Sequence, residues 1–275
     1  MGRYVLVVLL AAAAVVAPAI GTPAAGTPSR GKSDNWTGYA VTGTRFRRVS
    51  GSWVQPPANC FGRGAGSTAA SFWVGLGGDL EGSGEVEQIG TDSDCDSAGQ
   101  PYYYAWYELW PRDGLNLDIR VEPGDRIWVS VAIAGPSSVR LELRNLTSGS
   151  RFARTLHLAR PDGTSAEWIV EAPSQTVRHG DEILPLTDFG TVRFSSAVAT
   201  SASGHTGAIA DPSWRAEAID FRSDHGNPRN PVATFVSGVA AAYGGPTGLG
   251  RGGRSFAITW RNGRPPAAHA APGAA

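Results

Sequence analysis

Residues 102–110 read YYYAWYELW. Successive side chains of a strand point to opposite faces, so this run sorts itself into two sets. Tyr103, Ala105, Tyr107 and Leu109 make a face fit for a hydrophobic core. Tyr104, Trp106, Glu108 and Trp110 make the other face, aromatic but carrying one acid. Two readings of that second face stand side by side. It is the lining of a groove, with aromatics for grip, or an exposed sheet face with incidental aromatics.

Elsewhere the chain keeps the same period. Short alternating runs at Ser71–Gly75 (SFWVG), Arg126–Ile133, Val139–Leu143, Glu167–Glu171, Thr191–Phe194 and Phe256–Trp260 are separated by Gly, Pro, Asn and Asp. Pro123-Gly124-Asp125 is one of the turns. No segment holds a helical period over a useful length. The fold class expected is therefore all-β. The most economical arrangement is one two-sheet antiparallel sandwich over residues 35–260.

The 275 residues carry 24 Lys and Arg against 24 Asp and Glu, with no basic run, which argues against a nucleic-acid partner. Residues 1–25 read as a signal peptide. Arg3 precedes an apolar run from Tyr4 to Val16, and small residues follow at Ala17-Pro18-Ala19 and Ala24-Ala25. The apolar run is short and ends in Pro and Gly, so no lasting membrane span is expected. The mature protein is expected to be secreted, monomeric and free of the membrane. Residues 26–34 read as a small-residue linker, and residues 261–275 as a low-complexity, disordered tail. Cys60 and Cys95 lie in Gly/Ser/Asp-rich loops, and in an exported chain such a pair is expected to be oxidised. No Cys-x-x-Cys or His-x-x-x-His spacing offers a zinc site, so no metal or cofactor is expected.

Residues 166–171, AEWIVE, pose a sharper problem. Trp, Ile and Val ask for a buried strand, yet Glu167, Ile169 and Glu171 fall on one face of it. A carboxylate there is costly unless it is paired, solvated in a groove, or used. The familiar hydrolase signatures are missing: there is no Gly-x-Ser-x-Gly, no His-Glu-x-x-His, and no Asp-Thr-Gly or Asp-Ser-Gly. His157, His179, His205, His225 and His269 each stand alone in polar or turn-rich sequence and read as solvated surface residues.

Seven ordered blocks give this pattern a family. They are Asp34–Gly38 (DNWTG), Phe72–Asp79 (FWVGLGGD), Glu87–Gly90 (EQIG), Tyr104–Pro111 (YAWYELWP), Glu142–Gly149 (ELRNLTSG), Ala166–Glu171 and Asp188–Phe194 (DFGTVRF). Together they resemble the glutamic peptidases, the eqolisins of peptidase clan G1, over about residues 34–200. The resemblance implies a lectin-like sandwich of two sheets with the active site on a concave face. It also implies a catalytic dyad, which falls by motif on Gln88 and Glu171. Trp36, Trp73, Trp106 and Glu108 match positions that line the substrate groove. In that reading an ionised Glu171 activates a water against the scissile carbonyl, in acid, while Gln88 stabilises the oxyanion. Polypeptides are the implied substrates, cut internally. Gly77 and Tyr104 stand where the fungal relatives carry groove aspartates. Read from the residues alone, two other functions stay open: a lectin-like carbohydrate-binding module, and a glycoside hydrolase using Glu108 and Glu171.

Overall fold

The computed structural model describes residues 28–60, 67–79, 83, 85–177, 180–221 and 245–261. Two packed sheets account for most of them. The first runs, in spatial order, β1 (Ser29–Ser33), β16 (Arg215–Phe221), β2 (Trp36–Thr42), β11 (Ala166–Glu171), β4 (Ser71–Leu76), β5 (Val86–Cys95), β6 (Pro101–Trp110) and β7 (Leu115–Leu117). The second runs β10 (Arg151–His157), β9 (Ser138–Asn145), β8 (Arg126–Gly135), β3 (Phe46–Val54), β14 (Thr191–Ser201) and β15 (Thr206–Ala208), with β17 (Phe256–Thr259) also on β14. A short hairpin of β12 (Ser174–Val177) and β13 (Gly180–Ile183) follows AEWIVE. Every strand pair is antiparallel except β1 with β16, which is parallel.

Alternation builds the core. Trp168 on β11 and Phe72 and Val74 on β4 turn inward to meet Val129 and Leu141 of the second sheet, all with no exposed surface. Each such side chain stabilises the fold by about 1.5–3 kcal/mol through burial. Strand β5 is polar by composition (VEQIGTDSDC) yet buried along its whole length. Its inward hydroxyls are satisfied across the sandwich. The Trp53 indole N–H donates to Thr91 Oγ1 at 3.0 Å, and Gln55 Nε2 donates to Ser93 Oγ at 2.8 Å. Buried polar groups are tolerated where they find partners, and this network ties β3 to the strand that bears Gln88.

The all-β sandwich matches the expectation from the sequence. Cys60 and Cys95 form a disulfide, spanning 35 residues and clamping the loop after β3 to the end of β5. Part of the stretch expected to be linker behaves differently. Ser29–Ser33 adds as an edge strand to β16, with Arg30 reaching both oxygens of Asp220 at 2.7 and 2.8 Å. Small polar residues bury little, but an open sheet edge offers backbone partners to any extended segment. Residues 1–25 and 262–275, with His179, His225 and His269, lie outside the described residues.

Candidate active site

Register assembles the site. Along the outer face of the first sheet, Trp36, Glu171, Ser71, Asp92 and Tyr104 form one cross-strand row over β2, β11, β4, β5 and β6. Ile169, Trp73, Gly90 and Trp106 form the next row. Glu167, Gly75, Gln88 and Glu108 form the third. A cleft of about 760 Å³ opens over these rows. Gln88, Glu171, Trp36, Trp106 and Glu108 all line it, with Asn35, Asp92 and Tyr104. Four carboxylates (Asp92, Glu108, Asp113 and Glu171) and no cation stand among the described lining residues. The second face of YYYAWYELW is thus a groove wall, and the first packs on the core.

Both oxygens of Glu171 are held from within the protein. Asn35 Nδ2 donates to its Oε1 at 2.9 Å, and the Trp73 indole N–H donates to its Oε2 at 2.8 Å. Trp73 belongs below the groove rather than in its lining. It has no exposed surface and packs edge-on under Trp36, ring centroids 4.9 Å apart. It fits because its register neighbour is Gly90, where a Cβ would stand 2.3 Å from the Phe72 carbonyl oxygen and 2.7 Å from Trp73 Cβ. Trp73 therefore meets Glu171 from below and presents no surface to the cleft. Withdrawal from water pushes the Glu171 carboxyl up to about 7, against the lowering effect of its hydrogen bonds from Trp73, Trp36 and Asn35; Glu108 across the cleft adds to the rise.

Gln88, 6% exposed, donates from Nε2 to Glu108 Oε2. A carboxylate only accepts, so this bond sets which end of the amide faces which way. It leaves one N–H of Nε2 and the whole of Oε1, which has no partner among the described residues. Burial raises Glu108, and Asp113 raises it further, while the bond from Gln88 opposes both.

Three features were not among the site residues read from the sequence. Asn35 sat in the DNWTG block as a neighbour of Trp36. Asp92 accepts the Trp106 indole N–H at 2.5 Å and is 2% exposed. Tyr104, in place of a groove aspartate, lies with its hydroxyl 2.9 Å from Asp92 and 3.1 Å from Asp94. Burial raises both of those acids, Asp94 to about 6. At Gly77 the other missing aspartate has no place: φ is +80°, and a Cβ would meet the Glu85 carbonyl oxygen at 2.6 Å. Glu167 shares a face with Glu171 but has no exposed surface and does not line the cleft. Burial raises it well above the usual carboxylate range. Of the described histidines, His205 pairs with Asp211 at 3.0 Å, and neither it nor His157 lines the cleft. No described group of three His, Cys, Asp or Glu is arranged to hold a metal ion.

These raised carboxyls predict how stability depends on pH. Burial lifts Glu87 to about 8, Asp79 to about 6 and Glu167 well above its ordinary value. A carboxyl with a raised folded-state pKa binds its proton more tightly folded than unfolded, so its contribution is complete below ~4.3 and lost as pH rises through the folded value. Thermal midpoints are expected to fall by roughly 5–10 °C between pH 5 and pH 8. Glu167→Gln should flatten that slope; an equal slope in the variant would exonerate Glu167.

The comparisons with known proteins agree with this geometry. The model of the Peptidase A4 family matches residues 34–234. Aspergillopepsin-2 of Aspergillus niger is 33% identical over 196 residues, covering 64% of this chain and 67% of that protein. Scytalido-glutamic peptidase, solved with a transition state analog inhibitor, superposes with a TM-score of 0.65 at 24% identity, over 83% of this chain and 98% of that one. The aspergilloglutamic peptidase from Aspergillus niger gives a TM-score of 0.53 at 30% identity, over 70% and 99%. Fold and family match together define a β-sandwich peptidase. The chain belongs to the Peptidase A4 family, the glutamic peptidases.

Proposed function

We propose that the chain is a secreted, metal-independent glutamic endopeptidase whose catalytic pair is Gln88 and Glu171. The observation that carries this reading is the different tethering of the two groups in one cleft. Both Glu171 oxygens are held by neutral donors, and the Gln88 amide keeps one N–H and its carbonyl oxygen unengaged. In the reaction, ionised Glu171 takes a proton from water. The water oxygen bonds to the scissile carbonyl carbon, and the charge that develops on the carbonyl oxygen is met by the spare Gln88 N–H. Collapse breaks the carbon–nitrogen bond as Glu171 returns the proton to the leaving nitrogen. Trp36 and Trp106 flank the extended substrate, and Glu108 holds the Gln88 amide in the donating orientation.

The working pH follows from Glu171. An unperturbed Glu ionises near ~4.3, but here the base is pushed up to about 7. The rising limb of kcat/KM for the free enzyme should lie in the weakly acidic range, well above that of an ordinary carboxylate base. The test is incubation with an unfolded protein across acid to neutral pH, reading internal cleavage by mass spectrometry. Cleavage should persist with a chelator, with serine- and cysteine-directed reagents, and with inhibitors shaped for an aspartic dyad. Chelator-sensitive cleavage restored by zinc would overturn the metal-free mechanism. The lectin-like and glycosidase readings give way to the family assignment.

A further inference from the structure

The even balance of charge over the whole chain conceals a separation by sheet. Strands of the first sheet hold eight acids against three cations. Strands of the second hold eight arginines against one acid, Glu142. Alternation then sends most of those arginines to one surface. Val129, Leu141 and Leu143 face the core, so Arg126, Arg140 and Arg144 face away from it, joined by Arg48 and Arg151 on the flanking strands; all five are exposed. In register, Arg144 lies directly opposite Arg151, and Arg48 and Arg140 flank Ala132.

Like charges directly across a strand pair oppose folding, and nothing in the packing of the sheet requires them. Only Arg144 has a carboxylate, Glu142, at 2.5 Å; no ion pair engages the other four among the described residues. Guanidinium groups are cations that bind carboxylates in a bidentate fork. The surface is therefore a fixed cationic plane on the side of the sandwich away from the cleft.

We propose that this outward face of the second sheet binds a linear acidic polysaccharide bearing carboxylate groups, leaving the cleft free to work. The surface argues against nucleic acids and anionic bilayers. A duplex needs an element that enters a groove, and this face is a sheet with none. Single strands need aromatic platforms for their bases, and the one candidate, Trp128, is capped by Arg144 at 4.9 Å. A bilayer needs apolar area to insert, and of the large exposed apolar side chains only Val54 and Leu146 belong to this sheet, both beside Arg126 at one end.

The test is retention of the full protein on immobilised polygalacturonate in low salt, with elution by a salt gradient. Retention should be salt-sensitive, and the triple variant Arg126→Glu, Arg140→Glu, Arg151→Glu should bind roughly tenfold or more weakly. The milder triple change to Gln should lie between, and serves if charge reversal impairs folding. Both should cleave a small soluble peptide at the wild-type rate, since none of the three residues is near the cleft. Absence of salt-sensitive retention, or equal retention of the wild type and the Gln variant, overturns the proposal. Tighter binding at matched salt to single-stranded DNA or phosphatidylglycerol vesicles overturns the choice of partner.

Discussion

Replacing Glu171 by Gln is expected to abolish peptide cleavage while leaving the sandwich folded. Glu171 lines the cleft, and its replacement keeps the size of the side chain, so one of the two donors, Asn35 or Trp73, still finds an oxygen while the other faces the new amide NH2. What disappears is the proton acceptor, and a positioned general base typically contributes about 10²–10⁴ in rate. Gln88→Ala should cost roughly 10²–10³, the usual effect of deleting one oxyanion donor. The two act on one tetrahedral intermediate, so the double variant should be scarcely worse than Glu171→Gln alone. Glu167→Gln is the internal control, being sealed away from the cleft. At matched circular dichroism it should keep most activity. Near wild-type cleavage by Glu171→Gln would remove the proposed mechanism, and a dead Glu167→Gln beside it would move the base to the other acid.

Asn35→Ala should be the next most damaging change. Its amide donates to Glu171 Oε1 and its carbonyl oxygen accepts the Ala172 N–H at 2.9 Å, so it fixes both the acid and the exit of its strand. The backbone bond survives substitution; the side-chain bond does not. Hydrogen bonds to a charged group are worth about 1.5–3 kcal/mol, so kcat/KM near pH 5 should drop roughly tenfold to a hundredfold. The sign of the pH effect separates positioning from simple damage. Asn35 favours the ionised base, so its loss should move the rising limb of kcat/KM to higher pH, with partial recovery of rate there. Asn35→Asp should shift the limb further, since a second anion would stand against the first. An unmoved limb in both variants would leave Asn35 a structural residue only.

Much of the architecture could be read from the residues. YYYAWYELW and AEWIVE carry a strict period of two and large inward side chains, and both strands formed with the faces that period assigns. Strand β10 (RFARTLH) and the N-terminal strand β1 were not legible. Both are edge strands, where backbone pairing rather than burial holds the segment and no apolar face is demanded. Strand β5 was half-legible. Its Thr, Ser and Asp read as loop, because the partners that let Thr91 and Ser93 be buried come from Trp53 and Gln55 across the sandwich, and those of Asp92 and Asp94 from Tyr104 and Trp106 on the neighbouring strand.

The sequence by itself determined that this is an all-β sandwich stapled at Cys60 and Cys95, with the ordered motif blocks of a glutamic peptidase. Those properties rest on local alternation, turn chemistry and motif order, which a linear reading contains. The motif resemblance already singled out Glu171 in AEWIVE; only the tertiary structure placed Glu167 away from the cleft, put Trp73 beneath Glu171, and brought the Asn35 side chain to it. It also decided where the charges go. A net charge of zero is a sum, and sums carry no geometry. The pairing of strands distant in the chain collected the carboxylates on one sheet and the arginines on the other, because sheet order, unlike strand period, is set by long-range packing.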